Sequence, residues 1–467
     1  MKLGKALFVL ALAVLIAAPA YAETQNVKVS GSIDAYWFYR GDYDLRDNND
    51  VGVVPAGSAA ALYDHGAAGS IAEKSEADSY FRSNTQIEVA ADLTDNVSTV
   101  INIVNQRDWN ADTFDGVGGT GNDAAEYDID LDLAYVQMKE IFYSPLTLTI
   151  GRQDLWFGRG FIVGNNWREW DNNAATQADE YSVTTAFDAV RATLDFNPWT
   201  IDVVYSKITE NDPNPEDDLD LWIANVNYKF AEYNAVAEGY YVAELDRSTL
   251  SGVAATSPEV NDTHTLGGRV QFDPISQITL GGELAYQLGS YRAAVADPER
   301  DRSAWGVDIF GTYRWDNVWK PELTLEYVSL SGEGNMTATT EDYGAWNSLY
   351  RGKFWTAYAD FREFVYGTSD AADQPASTNQ NLIQVKGSLK PMEDLLLEGA
   401  FTYLWTDEDI AGRSDEIGYE IDLQAVYDYT EDVSFGVLLG WFVPGDFYSS
   451  PNDETALDLV SSVKVTF

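Results

Sequence analysis

From Val27 to Phe467 the chain alternates apolar and polar residues in runs of roughly ten, the period of strands with one apolar and one wet face. The clearest run begins at Leu146, with Leu146, Leu148 and Ile150 on one side and Thr147, Thr149 and Gly151 on the other. Four runs precede it, at Val27–Arg40, Tyr80–Leu93, Val97–Arg107 and Ile129–Lys139. The later runs come in pairs about brief turns: Phe187–Phe196 with Thr200–Thr209, Leu219–Phe230 with Ala235–Leu245, and Thr263–Phe272 with Gln277–Leu288. Arg302–Trp315 with Glu322–Leu330, Leu382–Leu389 with Leu395–Trp405, and Glu416–Tyr427 with Val433–Phe442 continue the pattern, and Leu457–Phe467 closes it.

Short turns alternate with long polar connections, notably Asp154–Ala186, Asn211–Asp218, Asp246–Asp262 and Ser331–Asn381. The count is about eighteen strands with both ends on the short-turn side, the layout of a bacterial outer-membrane barrel. The fold expected is therefore all-β, a transmembrane antiparallel barrel with short periplasmic turns and long extracellular loops. A closed barrel lets β-strands satisfy every backbone N–H and C=O inside hydrocarbon. At this size it leaves an aqueous lumen. Leu131, Leu133, Val190, Val203, Leu280, Ile309, Leu325, Leu423 and Val437 are assigned to the lipid face. Aromatics at strand ends fit the interfacial belts: Tyr36, Trp37 and Tyr39, then Phe196 and Trp199, Tyr313 and Trp315, and Trp441 and Phe442.

The start of the chain reads differently. A charged Met1–Lys5, an apolar Ala6–Ala18 and Ala20-Tyr21-Ala22 form a secretory signal peptide over residues 1–22, leaving 23–467 as one barrel domain. Export from a Gram-negative cytoplasm to the outer membrane follows. No later apolar stretch is long enough for a transmembrane helix. The formal net charge of −46 excludes nucleic acid as a partner and polybasic binding to anionic lipid. With 13% aromatic residues the acidic chain folds rather than staying disordered. It has no Cys, which removes disulfide scaffolds and thiol metal sites.

Gly151-Arg152-Gln153-Asp154-Leu155-Trp156-Phe157-Gly158, followed by Arg159-Gly160-Phe161-Ile162 and by Phe187-Asp188-Ala189-Val190-Arg191, resembles the alginate-export family of outer-membrane barrels. The resemblance implies eighteen strands over most of the mature chain. It also implies passage of an anionic polysaccharide along a basic lumen, with a long periplasmic turn as plug. This chain differs in two ways: its short-side connections are too brief for such a plug, and its inward face mixes signs. The final Leu457–Phe467 run, ending on an aromatic, looks like the strand that the barrel-assembly machinery recognises.

Charge on the inward parity carries the functional reading, because fixed charges in a narrow aqueous pore select and orient solutes. Arg152, Arg159, Arg168 and Arg191 form a candidate basic ladder, although Arg152 falls on the lipid parity unless a bulge near Gly151 turns it. Arg269 and Arg314 are further basic pore-lining candidates. Asp130, Asp132, Asp195, Glu283, Glu326 and Glu420 are the acidic ones. Opposite charges paired across strands give the same composition. The loops Asp154–Ala186 and Ser331–Asn381 are candidates to fold inward, the second through the aromatic stretch Lys353–Phe364.

Neither a cofactor nor a metal site is expected. Asp42, Asp44, Asp47, Asn48, Asn49 and Asp50 are oxygen-rich but lack the distal Glu of a calcium loop, so they read as a solvated loop bridged to lipopolysaccharide by divalent ions. Catalysis is not expected either, since the only histidines are His65 and His264 and no Ser lies in a nucleophile context. The expected protein is a monomeric, porin-like channel for passive passage of hydrophilic solutes. The alternative is an exopolysaccharide exporter working with periplasmic partners.

Overall fold

A computed structural model describes residues 26–42, 45, 78–109, 129–166, 178–210, 218–247, 261–292, 298–334, 342–352, 356–357, 378–410, 413–448 and 454–467. Eighteen antiparallel strands make one sheet. They are β1 (Asn26–Gly41), β2 (Asp78–Thr94), β3 (Val97–Asp108), β4 (Asp130–Met138), β5 (Leu146–Gln153) and β6 (Phe187–Asp195). Next come β7 (Trp199–Thr209), β8 (Leu219–Lys229), β9 (Val236–Asp246), β10 (Asn261–Ile275), β11 (Ile278–Tyr291) and β12 (Arg300–Arg314). The last six are β13 (Glu322–Leu330), β14 (Gln380–Met392), β15 (Leu395–Trp405), β16 (Glu416–Asp428), β17 (Val433–Pro444) and β18 (Ala456–Thr466). Each pairs with its sequence neighbours, and β1 pairs with β18 from Ser32↔Thr466 to Gly41↔Leu457, which closes the barrel. Just past β18, Phe467 exchanges two backbone hydrogen bonds with Gly31.

The strand period sorts the side chains. Leu131, Val203, Ile309, Leu325 and Leu423 stand exposed on the outside, as an apolar band for lipid requires. Trp199, Phe230, Trp315 and Trp319 are exposed at the short-turn rim, with Trp199 against Tyr228 at 4.5 Å and Trp315 against Tyr313 at 4.6 Å.

Three expected placements are corrected. Leu133 is buried rather than lipid-facing, because β3 and β4 shift register between Asn102 and Ile103. Asp132 is the extra residue of this bulge, so Leu133 comes opposite the inward Asn102. Tyr36 and Phe442 lie inside instead of in a belt: Tyr36 packs on Tyr181 at 5.2 Å, and Phe442 is fully buried against Tyr448. Their parity within β1 and β17 outweighs their position near a strand end.

Candidate functional site: a lumen narrowed by two loops

The connection after β5 turns into the barrel. Leu155, Phe157, Phe161, Ile162 and Val163 are buried in one cluster with the inward residues Phe187, Val204, Leu221, Ile223, Val242 and Val328. The turn needs glycine. Gly158 and Gly160 sit at φ +58° and +80°, where L side chains are strained, and a Cβ on Gly160 would stand 2.7 Å from the Trp156 ring. Gly160 N–H closes the turn on Phe157 O at 2.9 Å.

The connection after β13 enters from the other side. Tyr343, Ala345, Trp346, Leu349 and Tyr350 are all buried. Asn347 fixes the segment through Gln287 (backbone N–H to Oε1, 2.8 Å) and Glu244 (Nδ2 to Oε1, 3.0 Å). Tyr343 stacks on Tyr291 at 3.5 Å between centroids. Burial, then Tyr291, pushes its phenol well above the ordinary range, so it stays neutral.

The two segments meet backbone to backbone inside the barrel. Tyr350 N–H bonds Ile162 O at 3.1 Å, Gly164 N–H bonds Tyr350 O at 2.7 Å, and Gly352 N–H bonds Gly160 O at 2.6 Å. Phe161 stacks on Trp346 at 5.8 Å. These bonds satisfy backbone groups that would otherwise be buried without partners. Ala178–Ala186, returning to β6, is stitched to the adjoining wall of β2, β3 and β4. Asn84 Nδ2 donates to Tyr181 O (2.9 Å), Val183 N–H to Gln106 Oε1 (3.0 Å) and Thr185 N–H to Asp132 Oδ1 (3.2 Å).

A charged row crosses β9 to β12 where the strands place Glu238, Arg269, Glu283 and Asp308 successively opposite one another. Arg269 donates to Glu238 at 3.1 Å and to Gln271 at 2.8 Å, and Tyr240 Oη donates to Glu283 at 2.7 Å. Arg159, from the loop, reaches Asp308 at 2.7 Å and Glu326 at 2.8 Å and lies 3.8 Å above the Phe310 ring. Beside it is a cavity of about 330 Å³ against β12–β15, lined by Arg159, Asp308, Phe310, Glu326, Lys386 and Glu398 among others. Lys386 and Glu398 face each other more loosely, at 3.6 Å.

The structure thus brings Arg159, Glu326, Arg269 and Glu283 together on one wall. Arg191 lies on another, bonded to Asp202 at 2.9 Å and over the Phe157 ring at 5.2 Å. Arg152 stays on the outer parity of Ile150. The β5 ladder runs unbroken past Gly151, and Arg152 meets Asp188 at 3.6 Å, so it does not join Arg159 and Arg191 in one ladder. Arg314 sits near the short-turn rim, bonded to Glu322 (3.1 Å) and Thr279 (2.8 Å). Asp195 accepts from Asn197 N–H at 3.0 Å in the turn after β6, so it caps that turn rather than lining the constriction. Asp130 opens β4 opposite Val104, and Asp132 receives Thr185 N–H. Glu420, fully buried, accepts Ala357 N–H at 2.8 Å and so holds the long β13–β14 connection. Arg168, His65, most of the acidic stretch after Asp42 and most of Lys353–Phe364 lie outside the described residues.

Sequence reasoning passed over Phe310, Trp346 and Tyr350. The signal for the last two is the apolar spacing in Tyr343–Gly352, next to the aromatic stretch Lys353–Phe364.

Three solved barrels illustrate the likeness in fold. OccAB1 of Acinetobacter baumannii superposes with a TM-score of 0.54 at 12% identity, over 96% of this chain and 99% of that one. The outer membrane protein opdK of Pseudomonas aeruginosa gives 0.53 at 10%, over 95% and 100%. Pseudomonas aeruginosa OccK2 (OpdF), solved in complex with glucuronate, gives 0.53 at 11%, over 95% and 99%. A search of curated proteins finds no match. The family model for alginate export matches residues 67–461. The chain is an outer-membrane β-barrel channel, and it belongs to the alginate-export family.

Proposed function

We propose that this channel passes small hydrophilic solutes passively, through a narrowed and acid-rich lumen, without chemistry on the solute. The observation that carries the reading is the backbone pairing of the Leu155–Asn166 and Trp346–Gly352 segments inside the barrel. A conduit for an extended polymer needs a continuous wide bore, whereas two loops bonded across the lumen favour solutes of one or two sugar units. The glucuronate bound by OccK2, a single uronate, is of that size. Arg159, Arg191, Arg269 and Arg314 each face a carboxylate, which argues against an open basic ladder for a polyanion. The solute would shed part of its hydration against the wall charges and bind weakly enough to leave.

Family membership favours a second reading, export of an anionic polysaccharide with periplasmic partners. Swelling of liposomes carrying the refolded protein separates the two. Monosaccharides should enter and longer oligosaccharides should not. Equal entry of both would support the polymer conduit instead.

The remaining partners belong to the same proposal. Phe467 at the end of the barrel suits capture by the barrel-assembly machinery. The acidic outer loops suit lipopolysaccharide bridged by divalent ions. Cleavage after Ala22 would release a monomer that needs no cofactor.

A further inference from the structure

The cavity wall holds an aromatic ring and two carboxylates arranged as a cage for a planar cation. Phe310 and Glu326 are direct cross-strand partners on β12 and β13, and Asp308 lies one inward position from Phe310 along β12. Strand register thus sets the places of all three residues in the wall. Its occupant is the chain's own Arg159, whose guanidinium donates to Asp308 (2.7 Å) and Glu326 (2.8 Å) and stacks on Phe310 (3.8 Å). Two features set this apart from a plain structural ion pair. The Arg159 side chain keeps 29% exposure and faces the 330 Å³ cavity, so a solute there can reach it. The Asp308 side chain is only 5% exposed, and Arg159 bonds its Oδ2, leaving Oδ1 as acceptor capacity that Arg159 does not use. Arg159 is also carried between Gly158 and Gly160, both at positive φ.

We propose that Asp308, Phe310 and Glu326 form a receptor for the guanidinium group, and that Arg159 is a built-in occupant exchangeable with the guanidinium end of a small solute. The planar fork of a guanidinium spans two carboxylates and stacks on a ring, which an ammonium cannot do at once. Tethering gives Arg159 a high effective concentration, so the free ligand competes poorly in the wild-type protein. The proposal rests on the channel reading only for the route by which the solute arrives.

Binding is therefore measured apart from transport, by calorimetric titration of detergent-solubilised protein with methylguanidinium. The Arg159→Ala protein should show one saturable site that the wild type lacks. Adding Phe310→Leu should weaken it about tenfold, the size of a partly desolvated cation–π contact, and adding Asp308→Asn should abolish it. If the alanine variant fails to fold, Arg159→Lys serves, since its ammonium cannot fill the cage and saturable binding should again appear. Absence of saturable binding in the folded variant, or binding equal to wild type or indifferent to Phe310→Leu, would overturn the cage. A protein that binds methylguanidinium but passes no solute would overturn the channel reading alone.

Discussion

Arg40 and Arg159 repeat one constellation in two parts of the barrel. Arg40, on β1, lies 5.0 Å from the Phe38 ring and joins Glu180 and Asp458. Arg159 lies 3.8 Å from the Phe310 ring and joins Asp308 and Glu326. The Arg40 side chain is fully sealed, while that of Arg159 keeps 29% exposure beside a cavity. In the first the wall supplies the arginine and the loop a glutamate. In the second the loop supplies the arginine and the wall both carboxylates. Removing one partner from a sealed ion cluster strands a charge in low dielectric, whereas a cluster at a wet cavity can trade its partner for solute or water. The first is a staple for Ala178–Ala186. The second is where exchange with a solute costs least.

The comparison can be broken by substitution, beginning with the apolar packing behind the Arg159 loop. Trp346→Ala deletes a fully buried ring packed on Phe161 and should cost about 3–5 kcal/mol of loop docking. It should appear as raised single-channel conductance with an intact barrel on gels. Glu180→Ala should cost about 3 kcal/mol by leaving Arg40 short of a partner. Faster amide exchange confined to Ala178–Ala186 and its contacts would mark the staple, and unchanged exchange would show that Asp458 suffices. Gly160→Ala should cost about 1–3 kcal/mol through φ +80° and the approach to Trp156. A noisier, larger conductance would report the loosened turn. Lys386→Gln should leave stability within about 0.5 kcal/mol, because the 3.6 Å pair with Glu398 is loose and partly solvated. It should still shift the reversal potential toward cations.

The wall was legible in the sequence because strand parity is a local property. Leu325 and Ile309 face out, and Asp308 and Glu326 face in, by counting twos from their neighbours. Counting fails where one residue is added: the bulge at Asp132 brings Leu133 inside, and no turn signal in Asp130–Leu133 marks it. The lumen was legible only in part. Parity gives the residues that point inward, but it does not say what they meet. Arg159 finds Asp308 and Glu326, and Phe161 finds Trp346, only because two loops far apart in the chain enter the same space. Their apolar spacing showed that they need burial, and the barrel closure decided where. The charge of Arg191 is committed to Asp202, a pairing that composition alone leaves open.

The reversal potential of the refolded wild-type protein in a planar bilayer under a KCl gradient tests most directly whether the lumen is narrowed and acid-rich with its arginines neutralised. A small, steady, cation-selective conductance is the expected result, since the inward carboxylates outnumber the bases they pair with in the Glu238–Glu326 row. A large, anion-selective conductance in the same protein would contradict it and would point to an open basic path for a polyanion.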